Sequence, residues 1–97
     1  MAALLFEWDE AKNRANRRKH GVSFEEARTA FLDEHARLIA DPEHSDDEAR
    51  FVLLGLSIRL RLLVICHCYR EASGAIRIIS ARRANTPERR EYARWLK

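Results

Sequence analysis

Hydrophobic positions recur at helical spacing in the first third of the chain, and this pattern predicts two helices. Asp9 is suited to cap the first helix, and Gly21 follows a basic last turn, as is typical of a helix end. The apolar side of this helix contains only Trp8, Ala11 and Ala15. We therefore expect a surface helix that exposes its basic residues.

The second helix has the clearest start signal in the chain. In the segment VSFEEARTAF, Ser23 and Glu26 have the spacing of a capping box, in which each side chain accepts a hydrogen bond from the other residue's backbone N–H. Phe24, Ala27 and Phe31 then recur at the helical interval. Both helices are predicted to precede the sheet.

Four shorter apolar segments follow, with the sequences ARLIAD, RFVLLGLSI, LLVICHCY and AIRIISAR. Polar or glycine-bearing connections separate most of them, which predicts four strands in an antiparallel meander. Thr86 is expected to cap a last helix with Pro87 at its first position, and Tyr92 and Trp95 give that helix an apolar side. The predicted fold class is α+β, with two N-terminal helices, a four-stranded antiparallel sheet and a C-terminal helix.

The length of 97 residues predicts one domain, residues 1–97, with a single core. Hydrophobic residues make up 46% and charged residues 34% of the chain, a balance that excludes a disordered polymer. No segment approaches the ~18 apolar residues of a membrane span, and the first residues lack a secretory pattern. We therefore expect a cytoplasmic protein that makes no membrane contact.

Two cysteines, Cys66 and Cys68, lie one residue apart in an apolar segment, where a strand would direct both to one side. Their spacing is too short for an ordinary disulfide, so we expect reduced thiols packed in the core. His67 lies between them but would point to the opposite side, and no second Cys/His pair with ligand spacing exists. We expect His67 to be a hydrogen-bonded core histidine, and we expect no metal and no cofactor.

Charge is distributed unevenly along the chain. The segment from Lys12 to Lys19 has five basic residues and no acidic one, and the segment from Arg70 to Lys97 has eight basic and three acidic residues. Between Phe31 and Arg50 there are seven acidic and two basic residues. This segregation predicts one side that faces a polyanion and an acidic side away from it.

The last strand and the start of the last helix hold the side chains that could act on a phosphate. Arg82 ends the strand, Glu88 lies in the first helical turn, and free backbone N–H groups at a helix start attract anions. Cleavage of RNA without a metal requires a base, an acid and fixed cations. Glu88, Tyr92, His20, Lys19 and the arginines offer these roles, provided that the cations of the first helix and the last strand meet beside the start of the last helix.

Strand alternation places Arg77 and Arg82 on opposite faces of the sheet. Arg77 lies between isoleucines, so its guanidinium requires a carboxylate or a ligand, and Asp41 at the end of the first predicted strand is a candidate partner.

Structural roles are the alternative for the same residues. Glu88 and Arg89 could belong to an ordinary solvated helix, Tyr92 could be part of the core, and His20 could simply complement the dipole of the first helix.

Three segments together resemble a known family: FEWDEAKNRANRRKHGVSFEEA, ARLIAD and RIISARRANTPERREY. They are similar to the BrnT toxins of bacterial type II toxin–antitoxin systems, and the similarity extends from Phe6 to Tyr92. The resemblance implies a RelE-like fold and a ribonuclease that cuts RNA without a metal and blocks translation. It also implies a BrnA antitoxin with a ribbon-helix-helix DNA-binding part, so that operator DNA is bound only through the toxin–antitoxin complex.

By position, the resemblance implies a catalytic set formed by Lys19, His20, Arg77, Arg82, Glu88 and Tyr92. Arg77, Arg82 and Lys19 would hold the phosphate, and Glu88, His20 or Tyr92 would move protons, with base and acid unassigned. Contacts to the RNA backbone would come from Lys12, Arg18, Arg83 and Arg89. The glycine-free turn SIRLR departs from the family pattern. The rival interpretation is a non-catalytic domain that binds nucleic acid or protein.

Overall fold

A five-stranded sheet and three helices make up the part of the chain that the structure, a computed structural model, describes: residues 3–40 and 50–96. The elements in chain order are β1 (Phe6–Glu7), α1 (Glu10–His20), α2 (Phe24–Thr29), a 3-10 turn (Ala30–Leu32), β2 (Arg37–Ala40), β3 (Phe51–Leu56), β4 (Leu62–Arg70), β5 (Ala75–Arg83) and α3 (Thr86–Trp95). No helix within these residues is long and apolar enough to cross a membrane.

The four predicted strands are confirmed as β2 to β5, which form an antiparallel series, but the four-stranded sheet is a wrong prediction. A fifth strand, β1, adds to the sheet in the order β1-β5-β4-β3-β2 and runs parallel to β5. Because β1 precedes α1, the prediction that both helices come before the sheet is also wrong. Because β1 has only two residues, it shows no alternation that a sequence pattern could reveal.

Helices cover both faces of the sheet. On one face, called here the α2 face, Leu53 and Ile65 pack with Phe24 and Ala27 of α2 in the main core. On the opposite face, called the α3 face, Tyr92 and Trp95 of α3 pack with a smaller apolar cluster formed by Leu54, Leu56, Leu62, Val64 and Ala84. The two clusters follow the alternation of β3 and β4, in which successive side chains point to opposite faces.

Helix α1 packs through asparagines and not through its alanines. Ala11 and Ala15 are exposed, whereas Asn13 and Asn16 are buried with 2% and 8% of their surface exposed. Asn16 donates to the carbonyl of Ala81 at 2.8 Å and accepts from its N–H at 3.2 Å. Strand β1 pairs with β5 only at residues 76 and 77, so Asn16 takes the place of a neighbouring strand at this edge.

The predicted helix starts are confirmed in part. Asp9 caps α1, and its carboxylate accepts from the N–H of Ala11 at 2.8 Å. Gly21 ends α1 in the left-handed conformation with φ 71°, which a glycine adopts without strain. The predicted cap at Thr86 is wrong by one residue, because Asn85 caps α3 and accepts from the N–H of Glu88 at 2.9 Å.

Candidate functional site

Arg77 and Arg82 lie on the same face of the sheet, contrary to the alternation expected from sequence. A register shift in the β4–β5 ladder leaves Ile79 as an extra residue between the paired positions of β5. Arg77, Ser80 and Arg82 are consequently opposite alternate residues of β4, namely Cys68, Cys66 and Val64. We call Arg77, Ser80 and Arg82 the β5 row, and it lies on the α3 face.

The carboxylate partner of Arg77 is Glu7 of β1. The guanidinium Nη1 donates to Glu7 Oε2 at 2.9 Å, and this hydrogen bond is the main cause of a lowered pKa of Glu7. Asp41, the partner suggested by the sequence, lies outside the described residues. Arg77 uses one N–H in its hydrogen bond with Glu7, and its guanidinium carries four further N–H groups that could serve a ligand.

Arg82 forms a bidentate ion pair with Glu88 at the start of α3. Both terminal nitrogens of Arg82 donate to the carboxylate at 2.9 Å, and Glu88 Oε1 also accepts from the N–H of Asn85 at 2.8 Å. The Arg82 guanidinium is the main cause of a lowered pKa of Glu88, and Glu88 in turn raises the pKa of Arg82. Glu88 is therefore an ionised carboxylate that can accept a proton once Arg82 moves to another anion.

Tyr92 is buried, and its hydroxyl donates to Asp33 Oδ2 at 2.6 Å. Burial, followed by the hydrogen bond to Asp33, raises the pKa of Tyr92 to about 12. Burial acts to raise the pKa of Asp33 as well, but hydrogen bonds from Tyr92 and from the backbone N–H groups of Leu56 and His35 outweigh it and lower that pKa. A phenol held in this way is a poor proton donor at neutral pH, and this contact joins α3 to Asp33 at the end of the 3-10 turn.

Lys19 and His20 end α1, where Lys19 is exposed and His20 is half-buried. The carbonyl of the next residue, Gly21, accepts from Arg61 Nη2 at 3.1 Å beside the first residue of β4. At that same end of the sheet, the N–H of Ala84, just before α3, donates to the carbonyl of Leu62 at 2.9 Å. Lys19 and His20 thus share an end of the sheet with Arg82 and Glu88, but α1 and α3 are not on the same face.

The remaining residues predicted to bind nucleic acid are all exposed, and they are Lys12, Arg18, Arg83 and Arg89. Arg83 is opposite Leu63 in the ladder, so it belongs to the α2 face, whereas Lys12 and Arg18 lie on α1.

A buried ion pair that the sequence analysis missed lies between α2 and the β3–β4 turn. Arg61 donates to both oxygens of Glu26, with its Nε at 2.9 Å from Oε2, and Ser57 Oγ donates to Oε2 at 2.7 Å. Ser23 caps α2 as predicted, but Glu26 turns away from the predicted capping box to make these contacts. The sequence signal for this ion pair was the presence of two arginines in the SIRLR turn, because such a turn favours a nearby carboxylate.

Among residues 3–40 and 50–96, no three His, Cys, Asp or Glu side chains are grouped closely enough to hold a metal ion. Cys66 and Cys68 are not joined in a disulfide, and Cys68 is fully buried. His67 is confirmed as a core histidine, because its Nδ1 lies 3.2 Å from the carbonyl of Ile65 and its ring packs on Phe31.

Comparison with known proteins identifies the family to which the chain is similar. Residues 8–88 match the family described as "Ribonuclease toxin, BrnT, of type II toxin-antitoxin system". The chain is also similar to the crystal structure of the Brucella abortus ribonuclease toxin BrnT, with 26% identity, a TM-score of 0.63, and coverage of 87% of this chain and 100% of that one. A search of curated proteins gave no significant match. The chain therefore belongs to the BrnT family of ribonuclease toxins of type II toxin–antitoxin systems.

Proposed function

We propose that this toxin is an endoribonuclease that cuts RNA without a metal ion, at the end of the sheet where β5 leads into α3. The observation that carries the proposal is the register shift in β5, which puts Arg77, Ser80 and Arg82 on one face. Two guanidinium groups and a hydroxyl along one strand form a surface suited to consecutive RNA phosphates.

The cations would stabilise the charge that develops on the phosphoryl group. Arg82 is paired with Glu88 in the absence of RNA, and a phosphate that replaces this carboxylate would receive both of its donor nitrogens. Arg77 has further donors beyond its contact with Glu7, and Lys19 is exposed at the same end of the sheet as Arg82. Fixed cations of this kind act on the transition state without a bound metal.

Proton transfer would then use Glu88 and His20. Released from Arg82, the Glu88 carboxylate takes the proton of the RNA 2′-hydroxyl while that oxygen attacks the phosphorus. His20, at the same end of the sheet, gives a proton to the 5′-oxygen as its bond to phosphorus breaks, which leaves a 2′,3′-cyclic phosphate and a 5′-hydroxyl. Tyr92 has no part in this scheme, because its hydroxyl is bonded to Asp33.

A type II system pairs the toxin with a protein antitoxin, and the family assignment therefore implies an antitoxin partner and an RNA substrate. We further propose that the partner is a BrnA-type antitoxin with a ribbon-helix-helix part, through which the complex binds operator DNA. Cleavage of cytoplasmic RNA would block translation until the antitoxin is supplied.

The test is RNA cleavage by the purified protein in EDTA. Wild type is expected to cut, and Arg82→Ala and Glu88→Ala are each expected to lose about a hundredfold or more in rate. The matched controls are Arg94→Ala and Glu91→Ala, because these residues form another Arg–Glu pair on α3, also at 2.9 Å, and we expect them to leave the rate unchanged.

Two results would overturn the proposal. RNA binding without cleavage at any protein concentration would support the rival interpretation, a non-catalytic nucleic-acid-binding module. Cleavage that requires an added divalent cation would leave a ribonuclease but refute the metal-independent mechanism.

A further inference from the structure

Helix α1 carries three arginines on one flank that the proposed catalytic scheme does not use. Successive residues of a helix are rotated by about 100°, so Arg14, Arg17 and Arg18 fall within an arc of about 100°. Asn13 and Asn16, which anchor the helix to β5, lie outside that arc. The three side chains line a shallow groove with a volume of about 340 Å³.

These three arginines, like Arg83, Arg89 and Arg90, have no side-chain hydrogen-bond or ion-pair partner among the described residues, and they lie together in one groove. Arg61, Arg77, Arg82 and Arg94 each form an ion pair, whereas none of the three in the groove forms a hydrogen bond or an ion pair within residues 3–40 and 50–96. The carboxylate that Arg17 influences is Glu25, but that side chain accepts a hydrogen bond from Asn13 at 2.9 Å.

Three unpaired like charges at helical spacings of three and four residues repel each other, so this flank opposes folding slightly. A polyanion that binds across the three would remove the repulsion. Helix α1 has five Lys and Arg residues and one acidic residue, Glu10, so little on the helix itself opposes such binding.

We infer that the groove formed by Arg14, Arg17 and Arg18 is a binding site for the phosphate backbone of the RNA substrate, separate from the cleavage site. The helix rises about 1.5 Å per residue, so Arg14 lies about 9 Å along its axis from His20. His20 lies about 120° around the axis from Arg14, so RNA that extends beyond the cleaved bond would pass the C-terminal end of α1 before it reaches the flank with the groove. This inference rests on the proposed function, which supplies RNA as the substrate.

The groove is better suited to RNA than to an acidic segment of a protein partner. Among residues 3–40 and 50–96, its lining consists of arginine side chains, without an apolar residue. Stable protein interfaces depend on buried apolar or aromatic anchors, whereas backbone binding to a single-stranded nucleic acid can depend on cations alone.

The test measures binding to 2′-O-methyl RNA of about twelve nucleotides, a length within the range that single-strand binding sites cover. This RNA lacks the attacking hydroxyl, so binding is measured independently of cleavage. The variant Arg14→Gln/Arg17→Gln/Arg18→Gln is expected to bind at least tenfold more weakly at about 50 mM salt. The plot of log Kd against log salt should become shallower by about 2, because each lost phosphate contact removes about 0.7.

A control variant with the same loss of charge is Arg59→Gln/Arg90→Gln/Arg94→Gln, whose exposed residues lie outside the groove and the β5 row. It should change the affinity and the salt slope far less. Replacement of the three groove arginines by lysine should restore most of the affinity, since backbone contacts depend mainly on charge, and it provides a variant with the native charge should the glutamine variant fold poorly.

Cleavage kinetics separate this inference from the proposed function. With long RNA, the glutamine variant should lose activity mainly through a raised KM, whereas Arg82→Ala should lose it mainly through a lowered kcat. Equal RNA affinity and equal salt slope in wild type and variant would overturn the inference, as would loss of antitoxin binding with RNA binding intact. A wild type that binds the RNA through the groove but cuts nothing would refute the proposed function alone.

Discussion

Helices α2 and α3 begin with the same sequence pattern, a capping residue and a glutamate, in two different environments. Each has a capping residue followed three positions later by a glutamate, Glu26 or Glu88, that pairs with a strand-end or turn arginine. The side chains of Glu26 and Arg61 are 4% and 21% exposed, whereas those of Glu88 and Arg82 are 28% and 41% exposed. Glu88 completes its capping box, but Glu26 does not.

The difference separates a structural ion pair from one that a ligand can open. Water and phosphate can reach the Arg82 guanidinium, so its pairing with Glu88 is exchangeable. The Glu26 carboxylate has Ser57 and Arg61 packed over it, and opening that pair would leave a buried charge without a partner. Two substitutions, Glu26→Gln and Glu88→Gln, test this contrast directly. Tyr92→Phe and Leu60→Gly test contacts near the same two pairs, and all four are given in order of the expected effect on stability.

Glu26→Gln should be the most destabilising of the four, because it leaves the Arg61 guanidinium partly buried without a countercharge. Loss of one member of a buried ion pair costs about 3 kcal/mol. For a domain of this size we expect Tm to fall by roughly 15 °C. Calorimetry of wild type and variant measures the change, and Glu91→Gln on the exposed side of α3 should leave Tm almost unaltered.

The same variant should flatten the acid limb of the stability curve. The Arg61 guanidinium holds the pKa of Glu26 below its usual 4.5. A lowered folded-state pKa stabilises the protein above pH 4.5, and that contribution is lost as the pH falls below this value. An acid limb that is equally steep in wild type and Glu26→Gln would contradict a stabilising role for this pair.

Tyr92→Phe should have the second largest effect. It removes the hydroxyl that fastens α3 to Asp33, a hydrogen bond to a charged acceptor worth about 2 kcal/mol. Folding raises the pKa of Tyr92 from 10 to about 12. The contribution of the protonated hydroxyl to the free energy of unfolding is therefore complete below pH 10 and is lost as the pH rises toward 12. Chemical denaturation at pH 8 to 12 should show this alkaline loss in wild type and not in Tyr92→Phe.

Glu88→Gln should cost only about 1 kcal/mol, because its ion pair is partly solvated and glutamine can still serve in a capping box. Its effect on RNA cleavage should nevertheless far exceed that of Glu26→Gln, once both are compared well below their melting temperatures. The contrast would be wrong if Glu26→Gln reduced RNA cleavage more than Glu88→Gln did, and if Glu88→Gln reduced the free energy of unfolding more than Glu26→Gln did.

Leu60→Gly should have the smallest effect and the opposite sign. Leu60, in the turn that carries Arg61, has a φ of 62°, which glycine adopts without the steric cost that a Cβ imposes. The gain is partly offset by the greater freedom of an unfolded glycine, so we expect about 0.5 kcal/mol of stabilisation. Leu60→Ala keeps the Cβ and should show no such gain in urea denaturation.

Most of the fold followed from local signals. Asp9 and Gly21 delimit α1 as their chemistry predicts, and the four predicted strands are those observed as β2 to β5. Strand β1 could not be predicted, because two residues carry no periodicity and its pairing partner is 70 residues away in sequence. Asn16 was part of a recognised motif, but its role became visible only when Ala81 was placed beside it.

The candidate site was less predictable than the fold. Arg77, Arg82 and Glu88 were identified by residue type and position, and their catalytic roles stay predictions. Alternation placed the two arginines on opposite faces, and the extra residue Ile79 reverses that result. A bulge depends on how two strands pair, so the sequence of one strand cannot show it.

By itself the sequence determined the helices and the four longer strands, because propensity, capping and periodicity act over a few neighbouring residues. It also carried the motifs by which the chain resembles its family. Only the tertiary structure decided which glutamate is buried, which arginines share a face and which ones keep no partner. Those outcomes depend on side chains brought together from distant positions, where burial and competing hydrogen bonds decide between equivalent local patterns.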